Sequence, residues 1–214
     1  MAASQRPTPK DKRRRRKRRF FSLLVYSIIV FGLAWFFGEQ ATTTIIFVRH
    51  TDTDLPAAPG SDPPLNARGL ARAELLADFL EDIDVVAGVD AIYASPLKRT
   101  QQTAAPLAKR LSVDVAIADH YDYVGFMGDV LSDHKGQIVL VVTQADAIAP
   151  LVEELHGSKN VPEMEADEYD NVYIVSIPWF AKVKTLRLRY GLGWTPPVGQ
   201  TSSGVGFEDE VGAL

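Results

Sequence analysis

The stretch that decides the fold is Thr44–Thr51, which reads T-I-I-F-V-R-H-T. Within it, Ile45–Val48 is a β-branched and aromatic run that is long enough for a buried strand and too short for a helix. The run ends at Arg49 and His50, a cation followed by an imidazole. Because ligands bind beyond the carboxyl ends of strands in open α/β sheets, this pair predicts a site for an anion, most simply a phosphate.

Strands and helices alternate along the chain after this stretch. Apolar runs predict further strands over Ala91–Ala94, Val113–Ile117, Ile138–Val142, Asn171–Ile177 and Leu186–Tyr190. Helical spacing of apolar residues predicts helices after an N-cap at Asn66, after Thr100, near Val130 and over Ala147–Leu155. This alternation predicts an α/β fold, a three-layer sandwich whose mainly parallel central sheet is flanked by helices.

Three predicted strand ends meet at one edge of this sheet. They carry Arg49–His50, Ser95–Arg99 and Thr143–Gln144. Two arginines and an imidazole at neighbouring strand ends would form an anion pocket. A metal would need acidic ligands, and only Asp52 lies beside His50, so we expect neither a metal nor another cofactor.

The N-terminal region has a different composition from the rest. Residues 1–19 are polar and strongly basic, with ten Lys/Arg against one Asp, and this predicts disorder. Phe20–Phe37 contains no charged residue, which predicts a transmembrane anchor. The basic flank would keep the N-terminus cytoplasmic and place the following domain outside the cytoplasm, in the periplasm of a bacterium. A cleaved signal peptide is the competing interpretation.

The remaining composition limits the class of protein. The segment 42–190 is predicted to be one globular domain, and residues 191–214, rich in Gly, Pro and Ser, a flexible tail. The chain has 23 Lys/Arg and 27 Asp/Glu, of which thirteen Lys/Arg and twenty-six Asp/Glu lie after residue 19. The net charge of this part is therefore −13, which argues against a nucleic-acid partner. The absence of cysteine excludes disulfides, thiol catalysis and Cys-ligated metals. Oligomeric state is not indicated by any feature of the sequence.

Several motifs, taken together and in order, resemble those of the histidine phosphatase superfamily, the phosphoglycerate-mutase-like proteins. They are V-R-H-T at 48–51, D-P-P-L-N-A-R-G at 62–69, Y-A-S-P-L-K-R-T-Q-Q-T at 93–103, I-V-L-V-V at 138–142 and E-Y-D-N-V-Y at 168–173. The resemblance is to the small members of the superfamily and covers residues 43–190.

The resemblance implies phosphomonoester hydrolysis through a phosphohistidine. His50 would be the nucleophile, while Arg49 and Arg99 would clamp the phosphoryl oxygens. It also implies that Thr51 and Gln144 contact the substrate, which would be a phosphorylated small molecule, envelope sugar or phosphoprotein. No metal is required, because arginines and imidazoles supply the positive charge.

One position departs from the family pattern. After the I-V-L-V-V strand the family has Gly-His, whereas this chain has Thr143-Gln144. A neutral amide is a weaker hydrogen-bond donor to a phosphoryl group than an imidazolium. The resemblance therefore implies either a phosphatase of low activity or a catalytically impaired pseudophosphatase that binds phosphate or a partner.

The proton donor to the leaving group is not fixed by the motifs. Asp122, Asp119 and Asp52 are candidates by position alone, and Asp122 is our choice among the catalytic residues.

Overall fold

The computed structural model describes residues 9–38, 42–54, 61–83, 88–119, 121–179 and 181–191. The chain divides into two compact units, Met1–Ala41 and Thr42–Leu214. The first unit contains helix α1 (Pro9–Gly38). The second contains the α/β domain with the Arg49–His50 pair. The predicted flexible tail lies outside the described residues from position 192 onward.

The N-terminal helix corrects one prediction. Helix α1 starts at Pro9, inside the segment predicted to be disordered, and includes the apolar run Phe20–Phe37. The basic residues 17–19 thus belong to the same helix as the exposed apolar side chains that follow them. Among the described residues, no helix is both long enough and apolar enough to cross a bilayer. The predicted single-pass anchor and the single-pass membrane localisation built on it are therefore wrong, and the membrane is not supported as a partner.

A six-stranded sheet forms the centre of the domain, in the order β3-β2-β4-β1-β5-β6. Its strands are β1 (Thr43–Arg49), β2 (Ala91–Ala94), β3 (Val115–Ile117), β4 (Ile138–Thr143), β5 (Asn171–Ile177) and β6 (Lys184–Arg189). Strands β1 to β4 are mutually parallel, as expected, whereas β5 is antiparallel to β1, and β6 is antiparallel to β5. The segment 178–183 between β5 and β6 is too short for a helical crossover, so these two strands form a hairpin.

Helices cover the two faces of the sheet, which gives the three layers that the sequence predicts. They are α2 (Ala67–Glu81), α3 (Lys98–Leu111), α4 (Tyr123–Asp133) and α5 (Ala145–Glu154). In β1, Ile45 and Phe47 pack in the core with α4 and α5, whereas Ile46 and Val48 pack in the core with α2 and α3. This alternation buries both faces of β1, whose carboxyl end carries Arg49 and His50.

The start of α2 is tied to the residues that follow β1. Asn66 is the N-cap, as predicted, and its side-chain oxygen accepts a hydrogen bond from the Gly69 N–H at 2.8 Å. The Thr51 hydroxyl donates to the Gly69 carbonyl at 2.9 Å. A Cβ added at Gly69 would lie 2.0 Å from the Asp52 carbonyl oxygen, so the backbone of α2 approaches this loop more closely than any side chain permits.

We expect Gly69→Ala to lower the free energy of unfolding by about 3 kcal/mol, because backbone must move to relieve the overlap. Gly128→Ala is the matched control, since a Cβ there, also within a helix, meets no atom within 4 Å. Helix propensity predicts no loss, or a gain of up to about 1 kcal/mol, for that control. Urea denaturation monitored by circular dichroism measures both changes. Equal effects at the two positions would contradict the close approach at Gly69.

Candidate active site

The carboxyl ends of β2, β4 and β1 lie side by side, as the sequence predicts. Arg49 pairs with Thr143, and Ala94 pairs with Val142, in the parallel registers of these strands. The His50 N–H continues the ladder by donating to the Thr143 carbonyl at 3.0 Å. His50 and Gln144 therefore follow the ends of two neighbouring strands at the same level. Their backbones are separated by the spacing of adjacent strands, about 5 Å along the hydrogen-bonding direction.

The tautomer of His50 is fixed by its hydrogen bond. Its Nδ1 lies 2.8 Å from the carbonyl oxygen of Thr51. A carbonyl oxygen can only accept, so Nδ1 carries the proton of the neutral ring and Nε2 carries the lone pair. His50 is also buried, with 7% of its surface exposed. The arrangement presents one nitrogen, Nε2, as a nucleophile.

The environment of His50 keeps the imidazole neutral. Burial, first, and then the positive charges of Arg49 and Arg99 lower its pKa from 6.5 to about 4. The Thr51 hydrogen bond and the Asp52 carboxylate act in the opposite direction and do not outweigh these effects. At neutral pH the ring is therefore uncharged and Nε2 keeps its lone pair, which is the form able to attack phosphorus.

This lowered pKa predicts that the domain loses stability in acid. Between pH 6.5 and about pH 4, His50 takes up a proton in the unfolded chain but not in the folded one. Stability therefore falls as the pH decreases through this range, by about 3 kcal/mol at its lower end. Urea denaturation of the protein and of His50→Asn from pH 7 to pH 4 should show a shallower loss in the variant. Equal losses would contradict the lowered pKa.

The Arg49 guanidinium is held by one backbone turn. Nη1 donates to the carbonyls of Glu165 and Glu168 at 2.9 and 3.1 Å, and Nη2 donates to that of Ala166 at 3.1 Å. Three of the five N–H groups are thereby used. The Nε–H is buried and has no hydrogen-bond partner in the described part of the chain. Nε and the remaining N–H of Nη2 share one edge of the planar group, which is the geometry of a bidentate phosphate contact.

Arg99 lies in the first turn of α3 and is 18% exposed in its side chain. Its Nη1 lies 3.7 Å from an oxygen of Asp62. The same carboxylate accepts from the Lys98 backbone N–H at 3.0 Å and so acts as a cap for α3 from a distant part of the chain. Asp62 thus orients Arg99 toward the edge of the sheet, close enough to His50 for its charge to lower the pKa of that ring.

The orientation of the Gln144 amide follows from its neighbours. Thr100 donates its hydroxyl hydrogen to the carbonyls of Ser95 and Leu97, so the Ser95 hydroxyl donates to Thr100. Ser95 Oγ therefore accepts from Gln144 Nε2 at 3.2 Å, and Gln144 Oε1 accepts from Thr143. One amide N–H of Gln144 is left to donate to a ligand. Gln144 itself is 7% exposed.

The structure also places the remaining predicted site residues. Thr51 is fully buried, and its hydroxyl donates to the Gly69 carbonyl. Asp52 is buried and forms ion pairs with Arg72 Nε at 2.5 Å and Arg68 Nε at 3.2 Å. Asp122 and Asp119 are exposed. Asp122 caps α4 by accepting from the Gly125 N–H at 3.1 Å.

Three contributors to the site do not follow from the sequence reasoning. Ser95 orients Gln144, Asp62 orients Arg99, and the ring of Tyr169 lies 4.3 Å from the Arg49 guanidinium carbon. All three residues belong to motif segments noted in the sequence, but only their side-chain partners reveal what they do. Arg49 is held by backbone carbonyls, and such contacts cannot be predicted from residue type because every residue has a carbonyl.

Residues 45–121 match the model of the histidine phosphatase superfamily, branch 1. A relative in Mycobacterium tuberculosis, the uncharacterized protein Rv0525, is 42% identical over 74 residues, which are 32% of this chain and 34% of the relative. The match thus spans about a third of the length of that relative.

Solved structures share the fold at low sequence identity. Mycobacterial glucosyl-3-phosphoglycerate phosphatase Rv2419c has a TM-score of 0.53 and 16% identity over 70% of this chain and 98% of its own. The protein histidine phosphatase SixA, complexed with tungstate, has a TM-score of 0.54 and 20% identity over 68% and 96% of the two chains. Phosphoserine phosphatase of Entamoeba histolytica has a TM-score of 0.50 and 13% identity over 69% and 96%. The solved structures thus share the fold of this domain, and residues 45–121 resemble the histidine phosphatase superfamily.

Proposed function

We propose that the protein hydrolyses phosphomonoesters through a phosphohistidine on His50. The observation that carries the proposal is the state of His50: buried, neutral and hydrogen-bonded through Nδ1, with Nε2 left as the nucleophile. The solved phosphatases with this fold have phosphorylated compounds or oxyanions in their names, including glucosyl-3-phosphoglycerate, phosphoserine, inorganic phosphate and tungstate. We infer a phosphorylated small molecule, sugar or protein as the substrate class.

The proposed reaction has two displacements. In the first, the Nε2 lone pair forms a bond to phosphorus while the bond from phosphorus to the ester oxygen breaks, and that oxygen leaves with the bonding pair. In the second, water attacks the phosphohistidine, releases phosphate and restores the imidazole. The free edge of Arg49, together with Arg99 and the spare amide N–H of Gln144, would hold the equatorial oxygens as charge develops on them.

The departing ester oxygen also needs a proton. Asp52 is already engaged in ion pairs with Arg68 and Arg72. We therefore propose Asp122 as the donor, since it is exposed and its described contact is a helix cap rather than an ion pair. An aryl phosphate suits the first assays, because a phenolate leaves without much assistance from an acid.

Hydrolysis of 4-nitrophenyl phosphate by the full chain tests the proposal. We expect nitrophenolate and inorganic phosphate to appear in equal amounts, at a rate proportional to protein concentration. A competing tetrahedral oxyanion such as tungstate should slow the reaction. Release no faster than in buffer would contradict phosphatase activity, whereas tungstate binding without turnover would favour the pseudophosphatase alternative.

A further inference from the structure

Tyr169 lies against two residues of the proposed phosphoryl site. Its ring centroid is 4.3 Å from the guanidinium carbon of Arg49 and 6.0 Å from the ring centroid of His50. Only 6% of its surface is exposed. The hydroxyl of Tyr190, itself buried, donates to the Tyr169 carbonyl at 2.8 Å and so fixes the backbone that carries the ring.

The turn directly before Tyr169 holds the same guanidinium in its own plane. The carbonyls of Glu165, Ala166 and Glu168 accept from Nη1 and Nη2 of Arg49, and they determine how the planar group is rotated. The aromatic ring determines the orientation of that plane. Together they leave one edge for a ligand, with the buried Nε–H that has no hydrogen-bond partner among the described residues.

Glu168 attaches this turn to the sheet. One carboxylate oxygen of Glu168 forms ion pairs with Arg187 and Arg189 of β6, and the other accepts from the Glu165 backbone N–H at 3.3 Å. The Glu168 N–H also donates to the Glu165 carbonyl at 3.1 Å, which closes the turn. The orientation of Arg49 is therefore set by the far edge of the sheet, across β5 from the strand that bears it.

We propose that Tyr169 is a positioning residue that acts through Arg49, and that the turn 165–168 works with it. Its ring keeps the free edge of Arg49 directed at a tetrahedral oxyanion before that ligand arrives. This inference rests on the proposed role of Arg49 in phosphoryl binding. A long side chain such as arginine loses several rotamers when it binds, so fixing it beforehand raises affinity for the oxyanion.

The experiment measures tungstate binding to the full chain by isothermal titration calorimetry, in parallel with aryl phosphate hydrolysis. Tyr169→Leu removes the ring and keeps an apolar side chain, and we expect it to weaken tungstate binding about 10-fold. Tyr169→Phe retains the stacked ring and should restore affinity to within about twofold of the native protein. Tyr93→Leu is the matched control, because this half-buried tyrosine packs on Phe126 and His134 rather than on Arg49.

A double-mutant cycle separates positioning from loss of structure. In an Arg49→Ala background, Tyr169→Leu should weaken tungstate binding no further, because the residue it positions is absent. Glu168→Gln, which weakens the attachment of the turn to β6, should reproduce part of the loss without touching the core. Equal losses from Tyr169→Leu with and without Arg49, or an unchanged affinity, would overturn the inference. Native tungstate binding without hydrolysis would instead contradict the proposed activity and leave the positioning role intact.

Discussion

His50→Asn is expected to lower the rate of aryl phosphate hydrolysis at least about 1,000-fold, because the substitution removes the only atom that can accept the phosphoryl group in the proposed mechanism. Asparagine is the informative replacement. Its amide nitrogen can occupy the position of Nδ1 and donate to the Thr51 carbonyl, so the contact that fixes His50 is retained. The variant lacks an atom in the position of Nε2. A loss of activity in this variant would then be due to the missing nucleophile rather than to misfolding.

A second histidine provides the control for this experiment. His156 is exposed and has φ 55°, a left-handed backbone conformation that asparagine tolerates. His156→Asn should keep the full rate, since nothing in the site contacts it in the described structure. Residual hydrolysis by His50→Asn close to the native rate would show that another group, or water alone, attacks phosphorus.

Gln144→His is expected to raise the rate of hydrolysis about 100-fold. In the native site Gln144 offers one neutral N–H to a ligand, because its other N–H is used by Ser95 Oγ at 3.2 Å. A protonated imidazole would donate a charge-assisted hydrogen bond to the same phosphoryl oxygens, and a stabiliser of this kind is commonly worth about 100- to 1,000-fold in rate. Arg49 and Arg99 would lower the pKa of the introduced ring. The gain should therefore increase as the pH falls from 8 to 6.

Gln144→Asn is the matched control for the amide, since it keeps a neutral donor on a shorter side chain. It should lower the rate and show no gain at acidic pH. If Gln144→His does not raise the native rate, the amide already stabilises the transition state as well as an imidazolium would. Activity that exists only in Gln144→His would identify the native protein as a pseudophosphatase that keeps the phosphate pocket.

The sequence predicts the arrangement of the domain well where apolar runs are long and separated by turn residues. Ile138–Val142 and Ala91–Ala94 become β4 and β2 because each is a short β-branched or apolar run that both helical layers bury. Strand β5 runs opposite to β1, and β6 runs opposite to β5, and neither reversal is encoded in such runs. The second reversal follows from the short connection at 178–183, whose length matters only once β5 and β6 are known to be adjacent.

The N-terminal region shows where composition misleads. An uncharged run at Phe20–Phe37 after a basic segment satisfies simple rules for an anchor. The structure instead joins both segments in helix α1, and no helix in the described ranges is long and apolar enough to span a membrane.

The sequence also predicts some features of the site and not others. His50, Arg49, Arg99 and Gln144 meet where the strand order predicts, because parallel strands end at the same edge. Their orientation depends on groups that residue type does not reveal, above all the backbone carbonyls of the turn 165–168. The hydrogen bond from the Thr51 hydroxyl to the Gly69 carbonyl is likewise a contact that the V-R-H-T motif does not reveal.

The measurement that tests the central claim most directly is the detection of phosphorylated His50. The full chain is mixed with excess 4-nitrophenyl phosphate, quenched in alkaline denaturant, in which phosphohistidine survives, and analysed by intact and peptide mass spectrometry. We predict one added phosphoryl group per chain, located on His50 and absent from His50→Asn. Turnover without any such adduct, or an adduct that persists in His50→Asn, would contradict a phosphohistidine at this residue.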